Sequence, residues 1–194
     1  MKEKRKKSAM IILHEIYGMN PFIQDMVSKW KDFGYDVVGL DLLQRDSFPY
    51  EKAEEAYSYF INQVGFDAYI QVNEQIHELK KNHENVYVLG FSVGATIAWR
   101  CSENPECDGI IACYGSRIRD YMNVKPACKV KLIFAEQDSF PVDLVMERLQ
   151  GIPNVQCEKW KAHHGFLDSY SMYYQPEYTE KILGEMEEFY DACE

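Results

Sequence analysis

Six short apolar runs, separated by stretches with helical periodicity, limit this chain more than any other feature. The runs are Ala9–His14, Asp36–Leu40, Val86–Phe91, Gly109–Tyr114, Val130–Ala135 and Val155–Trp160. Several are nearly continuous in apolar residues, as strands buried on both faces must be. Helices are expected at Pro21–Phe33, twice within Tyr50–Lys81, at Val93–Ser102, at Pro141–Gln150 and from Pro176 to Cys193. Alternating β and α segments fold into a mostly parallel sheet with right-handed crossovers and helices on both faces. The expected architecture is therefore three-layer α/β/α with about six parallel strands. Local punctuation agrees. Asn20-Pro21 is an N-cap followed by proline at the first helical position, and Gly34 and Gly151 each close a helix. The 194 residues read as one domain, 1–194, able to bury a core without disulfides or metals.

Charge narrows the partners. A formal net charge of -10 argues against a nucleic-acid binder, which would show a basic face. It also argues against anionic membrane surfaces, and no segment is apolar enough to span a bilayer. The one basic cluster, Lys2-Glu3-Lys4-Arg5-Lys6-Lys7, precedes the short run Ala9–Leu13. That run ends at His14-Glu15 with no cleavage pattern behind it, so residues 1–8 read as a solvated basic tail rather than an export signal. The six cysteines, at 101, 107, 113, 128, 157 and 193, form no CxxC pair. Zinc-ribbon and thioredoxin readings therefore fail, and reduced thiols in a cytoplasm are the simplest account.

Ligands of open α/β sheets bind beyond the carboxyl ends of the strands. After the third run stands Gly90-Phe91-Ser92-Val93-Gly94. This G-x-S-x-G sequence lies between a strand and a helix, the context a nucleophile elbow requires. The serine would sit at a helix N-terminus, where partial positive charge favours a developing anion. A serine hydroxyl needs a base at neutral pH. In α/β-hydrolases the chain order is nucleophile, acid, histidine. The fifth run leads into Glu136-Gln137-Asp138 and the sixth into His163-His164-Gly165-Phe166. Asp138 and His164 are the acid and base expected. Glu136 and His163 are their rivals, and Asp138 could instead cap the helix after Pro141. An oxyanion hole needs two backbone N–H groups. Val93 and Ile16, the latter in the loop His14-Glu15-Ile16-Tyr17-Gly18, are the donors expected. Adjacent histidines lack the spacing of helical zinc ligands, and no phosphate-binding loop is present, so no metal or cofactor is expected.

Taken in order, these motifs resemble the dienelactone hydrolase family. The resemblance runs from about Met10 to the last helix. It rests on His14 to Asn20, Gly34-Tyr35 leading to Asp41-Leu42, Gly90 to Ala95, Tyr114-Gly115, Gln137-Asp138 with Pro141, and His164-Gly165-Phe166. It implies an α/β-hydrolase sheet in the order 2-1-3-4-5-6 without the family's leading β-hairpin. It implies that Glu15 contacts the resting nucleophile and that Ile16 lends its N–H to the oxyanion hole. It places Tyr57 and Phe60 among the pocket aromatics, with Tyr17 and Tyr114 as further candidates; plain core packing is the alternative for these rings. Three departures stand out. The family's dienelactone-opening members carry cysteine where this chain has Ser92. Their two carboxylate-binding arginines are replaced here by Ala53 and Asp168.

The expected activity is that of a serine hydrolase acting on a small carboxylic ester or lactone through an acyl-enzyme, with dienelactone itself disfavoured. An acyltransferase would use the same residues. A catalytically silent binding protein on the same scaffold is the alternative from another class.

Overall fold

The computed structural model describes residues 7–193. Six parallel strands form one sheet in the order β2-β1-β3-β4-β5-β6. They are β1 (Ser8–Leu13), β2 (Asp36–Leu40), β3 (Asn85–Phe91), β4 (Gly109–Cys113), β5 (Lys129–Gln137) and β6 (Val155–His163). The α-helices are α1 (Pro21–Asp32), α2 (Ala53–Tyr59), α3 (Tyr69–Lys80), α4 (Val93–Cys101), α5 (Val142–Leu149) and α6 (Pro176–Asp191). This is the three-layer fold expected. No helix among the described residues is long and apolar enough to cross a membrane.

The period-two rule of strands sorts the core into two halves. Ala9, Ile11 and Leu13 of β1 face α3, α4 and α5, meeting Ile76, Trp99 and Val145 in one cluster. Met10 and Ile12 face α1 and α6, meeting Trp30, Ile182 and Tyr190 in the other. Helix α4 is buried on all sides except at Arg100, as a helix wedged between sheet and outer helices should be. Asn20 caps α1 by accepting the Ile23 N–H at 3.1 Å. Gly34 turns the chain after α1 at φ +105°, a conformation that favours glycine.

The basic tail is shorter than expected. Ser8 already belongs to β1, and Lys7 pairs with Glu84 at 2.6 Å. Residues 1–6, the rest of that tail, lie outside the described residues. The Tyr50–Lys81 segment holds two α-helices, joined by a π-helical turn at Phe60–Val64 and a short turn at Phe66–Ala68.

Candidate active site

Ser92 joins β3 to α4 with φ 53° and ψ -112°. A non-glycine residue there is strained, and such strain persists only where the surroundings impose it. The surroundings are tight. The Ser92 N–H donates to the Cys113 carbonyl at 3.0 Å. A Cβ on Gly94 would lie 2.6 Å from both the Leu13 and His14 carbonyl oxygens, and one on Gly90 would strike the Gly94 carbonyl. Neither neighbour can move, because both are backbone. Gly94→Ala is therefore expected to destabilise the protein by about 1–3 kcal/mol. It should also lower kcat by roughly 10²-fold, as a displacement of about 1 Å at the nucleophile does. Gly184→Ala is the control. Gly184 is an exposed residue inside α6 with no atom near its missing Cβ, so alanine should stabilise by about 0.5–1 kcal/mol. Urea unfolding and ester turnover measure both; an undisturbed Gly94→Ala variant would show that the elbow is not jammed against β1.

The expected acid and base come from the two outermost strands on the other side of β4. The β5–β6 pairing slips between Ala135 and Gln137, so that Gln137 pairs with His163. The His164 N–H then donates to the Gln137 carbonyl at 3.0 Å. Such a bulge re-aims the residues that follow it. Here it sets Asp138 and His164 side by side, with His164 Nδ1 at 2.7 Å from Asp138 Oδ2. His164 Nε2 lies 3.0 Å from Ser92 Oγ. An ionised carboxylate only accepts, so Nδ1 carries the proton and Nε2 is left to accept from the serine hydroxyl. Burial lowers the His164 pKa, but the Asp138 hydrogen bond and charge and the Glu15 charge raise it by more; the net is upward.

The rivals are not part of this hydrogen-bonded chain. Glu136 is exposed. His163 stacks on Tyr173 with ring centroids 4.4 Å apart. Asp138 does not cap the following helix; α5 starts after Pro141 with no side-chain cap.

The loop after β1 forms the floor. His14 is fully buried; its Nδ1 bonds the Glu15 carbonyl at 2.6 Å and its Nε2 accepts the Leu42 N–H at 3.0 Å. Burial holds its pKa down, so a neutral imidazole ties this loop to the end of β2. Glu15 is 5% exposed, and its Oε1 has no hydrogen-bond partner among the described residues. Burial pushes the Glu15 pKa up to about 7; the His164 charge opposes this, Asp168 adds to it, and the nearby Tyr114 hydroxyl opposes it. Ile16 lines the space beside Ser92 and Val93. Val93 is the first residue of α4, so its N–H has no acceptor within the helix.

Two cavities meet at Ser92 and His164. One is a cleft of about 700 Å³ lined by Tyr57, Val93, Arg117 and His163 among others. The other, of about 500 Å³, is lined by Glu15, Tyr17, Tyr50, Asp168 and Tyr170 among others. Tyr17 and Tyr50 pack with centroids 4.6 Å apart. Asp168 accepts from the Tyr50 hydroxyl at 2.6 Å and from the Tyr170 N–H at 2.8 Å. Burial raises the Asp168 pKa, and hydrogen bonds from Tyr50 and from the Tyr170 and Ser171 backbone hold it back.

Two of the expected pocket aromatics are not on these walls. Phe60 is fully buried, 5.2 Å from Phe66 between ring centroids. It opens the π-helical turn, whose wider winding breaks the three-residue face relation to Tyr57. Tyr114 is also fully buried, at φ +46°, and its ring packs against that of His164 at 4.9 Å. It supports the histidine rather than lining a cavity. Tyr17 and Tyr57 do line cavities. Several wall residues escaped the sequence reading, Arg117 and Tyr50 among them. Arg117 follows β4 by four residues, and the strand-end rule could have found it; Tyr50 carried no such signal.

The fold is that of the α/β-hydrolases. Within that class the chain belongs to the dienelactone hydrolase family, a family of carboxylic ester hydrolases, whose profile matches residues 1–193. It is 36% identical over 173 residues to the uncharacterized protein YczH of Bacillus subtilis (strain 168), covering 87% of this chain and 85% of that protein. A candidate dienelactone hydrolase from Klebsiella pneumoniae subsp. pneumoniae MGH 78578 superposes with a TM-score of 0.78 at 17% identity, over 93% of this chain and 84% of the other. The Pyrococcus furiosus esterase Pf2001 superposes with a TM-score of 0.65 at 18% identity, over 95% and 83% of the two chains.

Proposed function

We propose that this protein is a serine hydrolase that cleaves a small carboxylic ester or lactone through an acyl-enzyme. One observation carries the reading: a strained Ser92 whose Oγ lies 3.0 Å from His164 Nε2, with Asp138 2.7 Å behind the imidazole. His164 takes the Ser92 proton as Oγ attacks the carbonyl carbon. The carbonyl oxygen becomes an oxyanion, stabilised by the Val93 and Ile16 N–H groups. His164 returns the proton to the departing alcohol. A water molecule then repeats the sequence on the acyl-enzyme, with His164 again as base. Asp138 holds the tautomer and stabilises the imidazolium. Glu15 modulates His164 through its charge.

Dienelactone itself is disfavoured. Asp168 puts a carboxylate on the wall of the smaller cavity, where the resemblance places one of the family's arginines, and Ala53 offers no charge. All six cysteines are free, which fits a reducing, cytoplasmic setting. The partner is a small molecule.

A fluorophosphonate probe tests this reading. Labelling is expected at Ser92 alone, with a burst of p-nitrophenol from p-nitrophenyl acetate. A folded protein that neither labels nor turns over this ester would refute it.

A further inference from the structure

Arg117 stands on the wall of the cleft that holds Ser92. It lies in the short helical turn Ser116–Asp120 just beyond β4. Two partners orient its guanidinium. Nη2 donates to the Tyr57 hydroxyl at 2.8 Å, and Nη1 donates to Asp120 Oδ2 at 3.3 Å. A guanidinium has five N–H donors in a planar fork, so these bonds leave three of them.

The positive charge is not cancelled by those partners. Tyr57 is neutral. Asp120 is 47% exposed, and an exposed pair of this kind contributes little. The acid on the cleft wall itself, Asp138, has a side chain 2% exposed and is held by His164. Ser116, Gln137, Ser139 and His163 on the same wall carry no negative charge. Across Ser92 the electrostatics reverse: the smaller cavity is walled by Glu15, Asp168 and tyrosines. A substrate straddling the serine meets a cation on one side and carboxyl groups on the other. An anionic group is favoured on the Arg117 side and opposed on the other.

We propose that Arg117 is a specificity residue that docks a carboxylate carried by the ester substrate, away from the bond that is cleaved. The proposal rests on Ser92 being the nucleophile and adds the chemical class of the substrate. It does not restore the two arginines of the dienelactone-opening enzymes, whose places are taken by Ala53 and Asp168. Arg117 reaches the cleft from a different loop, on the opposite side of Ser92 from Asp168. A planar fork matches a carboxylate bidentately, and Tyr57 pre-sets its orientation, so little side-chain freedom is lost on binding.

The test compares matched esters in the wild type and in Arg117→Gln. One arm carries the carboxylate on the acyl side: p-nitrophenyl hemisuccinate, hemiglutarate and hemiadipate, each against a neutral p-nitrophenyl alkanoate of equal length. The other carries it on the alcohol side: 4-acetoxybenzoate against phenyl acetate. The wild type is expected to prefer the anionic ester in one arm, which identifies the half of the substrate that occupies the cleft. Arg117→Gln should lower kcat/KM for that ester by about 10- to 100-fold, with a loss at least tenfold smaller for its neutral partner. Equal losses for both, or none for either, would overturn the proposal. A binding measurement stands apart from catalysis. Glutarate at millimolar concentration should raise the melting temperature of the wild type and not that of Arg117→Gln; equal shifts also overturn the proposal. If no ester is turned over and Ser92 does not label, the serine mechanism fails while the glutarate comparison still decides the docking role.

Discussion

Replacing Ser92 by alanine is expected to lower kcat on p-nitrophenyl acetate by about 10⁴- to 10⁶-fold, with KM little changed. Among the described residues, the hydroxyl is the nucleophile that His164 Nε2 reaches, at 3.0 Å. Without it, water must attack a carbonyl held by the two N–H donors alone. His164→Ala should cost nearly as much, because an unassisted serine hydroxyl is a weak nucleophile. The double variant should be hardly worse than either single one, since members of such a unit act together. Multiplicative losses in the double variant would mean that serine and histidine act independently, and the acyl-enzyme scheme would fall. His163→Ala separates the two histidines: its ring stacks on Tyr173, so most of the turnover should survive. Steady-state kinetics on the four variants, with circular dichroism as a check of folding, supply the measurement.

Glu15→Gln is expected to stabilise the protein in alkali and not in acid. Burial lifts the Glu15 pKa from the ordinary carboxylate value of 4.5 to about 7. In the folded state the proton is held more tightly than in the unfolded chain. Stability from this group is therefore complete below pH 4.5 and is lost as pH rises through 7. A shift of that size corresponds to up to about 3 kcal/mol. Glutamine keeps the shape and removes the charge. At pH 8 the variant should melt higher than the wild type by roughly 6–12 °C, and at pH 4 the difference should vanish. The kinetic sign follows from the same charge. Glu15 raises the His164 pKa, so its removal should move the acid limb of the kcat/KM profile to lower pH. A melting difference independent of pH would show that Glu15 is not a buried, costly charge.

Much of this architecture was legible in the residue order. Strand and helix limits fell close to those observed because apolar runs and caps such as Asn20 act locally. Ser92, Asp138 and His164 stood at strand ends, where the topology brings distant residues together. The β5–β6 slip was not legible, since a bulge depends on how two strands pair rather than on either alone. Nor was the role of His14. Its second partner, the Leu42 N–H, lies 28 residues away, and no spacing rule connects them. The family resemblance placed Phe60 on a wall, whereas at the start of a π-helical turn it packs in the core. The pairing of Arg117 with Tyr57 carried no signal in the residue order, because the two are 60 residues apart.

The slipped pairing of β5 with β6 has a bearing on how the protein comes into being. Ser92 and His164 are 72 residues apart, and β6 is an edge strand of the sheet. A nascent chain that has assembled β1 to β4 already holds the bent serine but has no imidazole to activate it. Loop closure over such distances is slow relative to local structure. On the proposed mechanism, hydrolytic power arises only with the docking of the last strand, and it would disappear first when that edge frays.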